Sequence, residues 1–302
     1  MNAPAIDIRG LGKSFGRSVV LDGLDLVVPR GEIFALLGAN GAGKTTTISI
    51  LTTLQRPDRG TAAVAGFDVA TQPDAVRQRI ALTGQSAAVD DMLTGTENLV
   101  MLGRLSGLSP HRARARAAEL LERFALTDAA GRGVRTYSGG MRRRLDLALS
   151  FVVVPEVLFL DEPTTGVDPR SRRDLWEVIR SLSDAGTTVF LTTQYLEEAD
   201  QLADRIAVLD GGAVVATGTP TELKALVGTD TVVLTGADGA VVREISTDGS
   251  VAGLRAAIAE LDVDDASGAE VTLRRPTLDD VFLSLTGAPG TASALDTAEE
   301  FA

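Results

Sequence analysis

Gly38-Ala39-Asn40-Gly41-Ala42-Gly43-Lys44-Thr45 is the stretch that decides the fold. It fits G-x-x-x-x-G-K-[ST], follows an apolar run, Ile33 to Leu37, that reads as a buried strand, and opens a predicted helix. The glycines let the loop curl so that backbone N–H groups face a phosphate. Lys44 is placed to reach the β- and γ-phosphates of a nucleotide, and the Thr45 hydroxyl to ligate Mg²⁺. Gly38, Asn40, Gly41, Ala42, Gly43 and the following Thr46 are assigned to the same phosphate cradle. A chance glycine-rich turn would not require a strand before it and a helix after it.

A second signal lies downstream. Glu156 to Leu160 is predicted as a strand ending at Asp161-Glu162. In phosphate-loop enzymes the first acid supports Mg²⁺, so Asp161 takes that role. Glu162 is then the candidate general base for a water attacking the γ-phosphate. A third signal is Tyr137-Ser138-Gly139-Gly140-Met141 at the start of a predicted helix. Ser138 is a good N-cap, and Gly139 and Gly140 leave amides free for an anion. Taken singly, the acidic strand end is a common surface feature and the Ser-Gly-Gly segment a capped helix.

The whole chain supports an α/β enzyme. It has 302 residues, 44% of them hydrophobic, which excludes global disorder. A formal net charge of -12 argues against a nucleic-acid binder. There are no cysteines, hence no disulfides. No run reaches about 18 uncharged apolar residues, so no spanning helix is predicted. Residues 5–228 alternate apolar runs, among them Thr187 to Thr193, with helical stretches, the pattern of a parallel sheet with crossover helices. A helical subdomain is expected at about 86–150, with Ser109-Pro110 starting one helix. Residues 229–286 read as a small α+β appendage. It comprises a hairpin of Thr231 to Leu234 and Val241 to Ile245, a helix over Val251 to Leu261, a strand at Val271 to Leu273 and a helix over Leu278 to Leu285. The small, acidic stretch 287–302 is expected to be a disordered tail.

Joined in order, the phosphate loop, Gln85, Ser138-Gly139-Gly140, Asp161-Glu162 and Pro163-Thr164-Thr165-Gly166-Val167-Asp168 resemble an ABC transporter ATPase over roughly residues 5–228. The resemblance implies an α/β P-loop NTPase core and ATP with Mg²⁺ as cofactors. It implies a head-to-tail dimer with a second ATP-binding subunit, in which Ser138, Gly139 and Gly140 contact the ATP of the opposite subunit. Gln85 resembles the loop glutamine that senses γ-phosphate, assigned here to catalysis and to Mg²⁺. Asp168 resembles the aspartate linking the two sites. Phe15 resembles the aromatic that stacks on adenine, with a strand-end core phenylalanine as the alternative. The segments Thr94 to Leu99, Tyr137 to Arg144, Leu191 to Asp200 and Leu278 to Gly287 are similar to daunorubicin-resistance-type drug-export ATPases. This implies a multispanning membrane permease as partner, peripheral placement at the cytoplasmic face of a membrane, and export of drugs, antibiotics or lipids. An ATPase acting on ribosomes or DNA, an importer subunit and an ATP-gated scaffold rank behind it.

The sequence also departs from that pattern. Tyr137 and Met141 replace the commoner Leu and Gln, and Ala39 a common Pro. Gln194, assigned to catalysis, stands where most such ATPases carry His, and the only histidine is His111, expected at an exposed helix start. The Gln194 amide can donate a hydrogen bond but cannot carry a proton. Arg112, Arg114, Arg116 and Arg142 to Arg144 are expected on solvated helix faces or in salt bridges.

Overall fold

A computed structural model describes residues 3–84, 89–236, 240–261 and 270–287. Gln85, the hairpin tip at 237–239 and the tail beyond Gly287 lie outside the described residues. The chain divides between Thr217 and Gly218 into two compact units.

In the first unit, β1 (Ile6–Phe15), β2 (Ser18–Val28), β4 (Arg59–Val64) and β5 (Phe67–Asp68) form a four-stranded sheet in the order β2-β1-β4-β5. Its pairings are antiparallel, unlike the parallel sheet expected from the sequence. Toward its end β2 alternates buried and exposed residues, as a strand does when only one face meets the core. A second, six-stranded sheet holds β3 (Ile33–Leu37), β6 (Ile80–Thr83), β7 (Val157–Asp161), β8 (Thr188–Thr193), β9 (Arg205–Asp210) and β10 (Ala213–Gly218). Its order is β10-β9-β3-β8-β7-β6, with β9, β3, β8, β7 and β6 parallel. The strands at β3, β7 and β8 are those the sequence predicted, the last two beginning one residue later. All residues of β3, β7 and β8 are buried, as expected for central parallel strands covered on both faces.

Helix α1 (Lys44–Leu51) packs on strands of both sheets, so the two share one core. Phe190 anchors it: its ring stacks on Phe34 at a centroid distance of 6.0 Å and tilts against Phe159 at 5.7 Å. The register is what matters for function. Leu37 pairs with Thr193 and Asp161 with Thr192, so β3, β7 and β8 end together at one edge. Crevices at the carboxyl ends of such strands are where ligands bind in α/β sheets.

After α2 (Pro73–Arg77) come the helices α3 (Gly95–Leu105), α4 (Pro110–Arg123) and α5 (Gly139–Ser150) of the expected helical subdomain. A capping box of Thr94 and Glu97 starts α3. Ser109 caps α4 with Pro110 in its first turn, and His111 is exposed there, as expected. A Cβ on Gly103 would lie 3.2 Å from that of Ala113, so the absent side chain lets α3 and α4 approach closely. Helix α6 (Pro169–Asp184) buries Leu175, Ile179 and Leu182, one apolar stripe at helical spacing, and α7 (Leu196–Leu202) follows β8. Among the described residues no helix is long and apolar enough to cross a membrane.

The second unit holds α8 (Pro220–Ala225), the antiparallel sheet β12-β11-β13 of β11 (Asp230–Thr235), β12 (Val241–Thr247) and β13 (Glu270–Arg274), and α9 (Val251–Glu260) and α10 (Leu278–Thr286). These match the predicted hairpin strands, helix, strand and closing helix. The sequence placed the boundary after Gly228. In the structure α8 belongs to the second unit, where it packs on α10. A small core of Val232, Leu234, Ala257 and Leu261 holds this sheet against α9.

Candidate active site

The phosphate loop is shaped by two close approaches. A Cβ on Gly38 would lie 2.6 Å from the Leu209 carbonyl oxygen. Gly43 sits at φ 109°, and a Cβ there would meet Leu21 Cδ2 at 2.7 Å. Only glycine satisfies both the space and the left-handed backbone. Gly43 also precedes α1 without a side-chain cap, so no side chain occupies the first-turn amides. The Lys44 side chain folds back into the loop, 4% exposed. Its Nζ donates to the carbonyls of Gly38 (2.8 Å) and Ala39 (3.1 Å), and lies 3.5 Å from Glu162 Oε1.

The two neighbouring acids are turned to different work. Asp161, buried at the end of β7, accepts through Oδ1 from Thr192 Oγ1 at 2.6 Å and from Thr45 Oγ1 at 3.3 Å. Glu162 has φ 49°, left-handed for a non-glycine residue. Its carboxylate lies beside Lys44, and its N–H donates to the Thr192 carbonyl at 3.1 Å. The Thr45 hydroxyl and Asp161 carboxylate are hard oxygen donors at hydrogen-bond separation, a set that fits Mg²⁺.

A cavity of about 530 Å³ opens here. Asn40, Gly41, Gly43 to Thr46 and Glu162 line it, and Phe15 stands at its edge. Phe15 is 47% exposed, which removes the alternative of a core phenylalanine. Gln194 follows β8 at the same edge of the sheet and is half-buried; the preceding residue, Thr193, accepts the Gly38 N–H through its carbonyl at 3.3 Å.

Ser138 and Gly139 are exposed at the start of α5, where the Ser138 hydroxyl accepts the Met141 N–H at 3.3 Å. They do not line the phosphate-loop cavity. Gly140 is buried, since a Cβ there would meet Ser171 Oγ at 2.5 Å. Tyr137 has its own reason: its buried hydroxyl donates to the Ala129 carbonyl at 2.7 Å, a bond leucine cannot make, and burial pushes the phenol pKa up. Asp168 caps α6, accepting from the N–H groups of Ser171 and Arg170 at 3.0 and 3.2 Å. The Ser171 N–H above all holds its carboxyl below the ordinary value.

Four further residues belong to the neighbourhood. Thr192 bonds Asp161, and nothing marks it in sequence beyond its place in a buried strand. Glu198 is fully buried in α7 and accepts from Trp176 Nε1 at 3.2 Å. Burial pushes its carboxyl above the ordinary value, against the Trp176 N–H and the Arg172 charge. Arg142 pairs with Asp91 at 3.0 Å. Arg143, expected on a solvated face or in a salt bridge, pairs with Asp146 and is largely shielded, because α5 turns that face toward the ends of β6 and β7.

A family model described as ABC transporter matches residues 21–165. The chain is 52% identical to the daunorubicin/doxorubicin resistance ATP-binding protein of Streptomyces peucetius, over 98% of this chain and 96% of that protein. The chain belongs to the ABC transporter ATP-binding family. It is also 47% identical to the doxorubicin resistance ATP-binding protein of Mycobacterium tuberculosis, over 94% of each chain. A solved structure of the ATP-binding subunit of an ABC transporter superposes with a TM-score of 0.65 at 29% identity, covering 74% of this chain and 92% of that one. As an ABC ATPase the chain binds and hydrolyses ATP.

Proposed function

We propose that this ABC ATPase is the motor subunit of a membrane exporter of drugs, antibiotics or lipids, working as two copies bound to a separate permease at the cytoplasmic face. The dimer is supported by Ser138 and Gly139, which stand exposed at the start of α5 and do not line the cavity of Lys44, while Gly139 borders a second cavity with Arg143, Glu162 and Thr165. A second copy, placed head to tail, would bring its Ser138, Gly139 and Gly140 to the open side of the cavity. Drug export rests on identity to the two resistance proteins over nearly their whole length.

Within the site, Lys44 and the loop amides hold the β- and γ-phosphates, and Phe15 takes the adenine. Thr45 and Asp161, with Gln85, would hold Mg²⁺, which supplies neutralisation of charge on the phosphate oxygens. Glu162 accepts the proton of the attacking water. Gln194 donates to the γ-phosphate, and Asp168 couples the two sites.

Glu162→Gln keeps the size and removes the base. Turnover should fall by about 10²–10⁴-fold with ATP still bound. With Mg-free ATP the variant should run as a dimer in size analysis, and monomer alone would overturn the composite site. Export is read in cells: Lys44→Ala should abolish drug efflux, and unchanged drug accumulation would overturn that assignment.

A further inference from the structure

Arg143 carries a charge into the interior at the seam between the helical subdomain and the strand ends. Its side chain is 10% exposed, and its partner Asp146 4%. Arg143 Nε donates to the Pro163 carbonyl at 2.9 Å. Nη1 donates to the Gly84 carbonyl at 2.7 Å and to Asp146 Oδ2 at 3.3 Å. One planar group therefore joins three elements: α5, which begins with Ser138-Gly139-Gly140, the residue after β6, and the residue after Glu162.

This is costly as a mere structural device. Burial pulls the guanidinium pKa down, and the charges of Asp146, Glu198 and Asp161 pull it back. A buried ion pair of this kind often adds no stability over well-packed apolar side chains. The geometry is what an apolar residue could not supply. Glu162 sits at φ 49°, a conformation that surrounding contacts must impose. On its N-terminal side the Thr192 carbonyl and hydroxyl receive the Glu162 N–H. On its C-terminal side the Arg143 bond holds the buried Pro163.

We propose that Arg143 is a positioning residue for hydrolysis: by clamping the Pro163 carbonyl it holds the Glu162 carboxylate in place and ties that place to the Ser-Gly-Gly helix. The inference rests on the assignment of Glu162 as base. The fork is the essential element. Nε and Nη1 donate from fixed points of one rigid plane, a fork that the flexible point charge of a lysine ammonium does not reproduce.

The test uses the full chain with Mg-ATP. Arg143→Lys keeps the charge and loses the fork. Its kcat should fall by about 100-fold, the size of effect expected from displacing a reacting group by about 1 Å. KM and ATP affinity should stay as in the parent. In the Glu162→Gln background the same substitution should add no further loss, because both act through one carboxylate. If Arg143→Lys does not fold, the double variant Arg143→Gln with Asp146→Asn removes both charges together, and the same kcat loss is expected. A parent-like kcat in either, with Glu162→Gln inert, would overturn the positioning role alone. Loss of ATP affinity in step with kcat, or additive losses with Glu162→Gln, would overturn it in favour of a purely structural role. Parent-like turnover in Glu162→Gln would overturn the base assignment and with it this inference.

Discussion

The Thr192 hydroxyl donates to the Asp161 carboxylate at 2.6 Å, inside the sheet and one strand away from the phosphate loop. The same carboxylate oxygen receives Thr45 Oγ1, and the same threonine receives the Glu162 N–H. Thr192 thus orients both acids, which register alone brings beside it.

Thr192→Val keeps the shape of the side chain and removes the donor. Asp161 would lose its shorter hydroxyl bond, worth about 1.5–3 kcal/mol for a bond to a charged group. Removing a group that orients a metal ligand typically costs about 10–100-fold in metal affinity. Mg²⁺ titration of turnover and urea unfolding read the two effects. An unchanged Mg²⁺ requirement would show that Asp161 needs no such orientation.

Lys44→Ala should abolish ATP turnover while the fold survives, since the charge-assisted contacts to phosphate disappear. The carbonyls of Gly38 and Ala39 lose their charged donor as well, at about 1.5–3 kcal/mol for each bond. Turnover and urea unfolding on the same preparation separate the two. Parent-like hydrolysis would refute the site.

Gln194→Ala should be impaired and not dead, because one neutral hydrogen bond is worth about 0.5–1.5 kcal/mol, less than the loss of a general base. Gln194→His should stay active. Histidine titrates near pH 6.5, so that variant should acquire an inflection in its pH–rate profile there, absent from the parent. Unchanged turnover of Gln194→Ala at saturating ATP would place Gln194 outside the chemistry.

Glu198 links stability to pH. Burial raises its carboxyl pKa, so the folded state binds this proton more tightly than the unfolded chain. Its contribution to stability is full below the ordinary carboxylate range and is lost as pH rises from that range through the raised value. Glu198→Gln is neutral throughout, and its amide oxygen can still accept from Trp176. Urea midpoints measured across that range should therefore show the variant gaining on the parent as pH rises. Parallel curves would mean that Glu198 ionises as freely folded as unfolded.

Much of the site can be read from the chain because its chemistry is local. Gly38 to Thr45 carries strand, turn and helix within a dozen residues, and a left-handed Gly43 needs no distant information to be recognised. Asp161-Glu162, a common kind of strand end by itself, can be read once it is joined to the phosphate loop. The antiparallel sheet of β1, β2, β4 and β5 was not legible: its two hairpins are joined only by the distant pairing of β1 with β4, Ile6 with Val64, and alternating burial becomes visible only when one face has a core to meet. Thr192 and Arg143 were not legible for a related reason. Each is an ordinary residue of its own element, and each acquires its role from a group far along the chain.

Residue type and short spacing were enough to read the family's chemistry: a loop of the G-x-x-x-x-G-K-[ST] pattern, two acids in tandem, a glutamine where histidine is usual, and a small α+β appendage. These are properties of residue type and short spacing, set by backbone sterics and side-chain donors. Which groups touch was set by packing and strand register. Parallel register aligned the ends of β3, β7 and β8, placing Thr45 against Asp161 and Lys44 against Glu162. Packing of α5 on those ends largely shielded Arg143, which one-dimensional charge patterning had assigned to a solvated face or a salt bridge. It also left Ser138 and Gly139 exposed, with Gly139 on a second cavity that Glu162 also lines. The reason is physical: burial and hydrogen-bond partners are set by three-dimensional packing, and no side chain carries that information in its own formula.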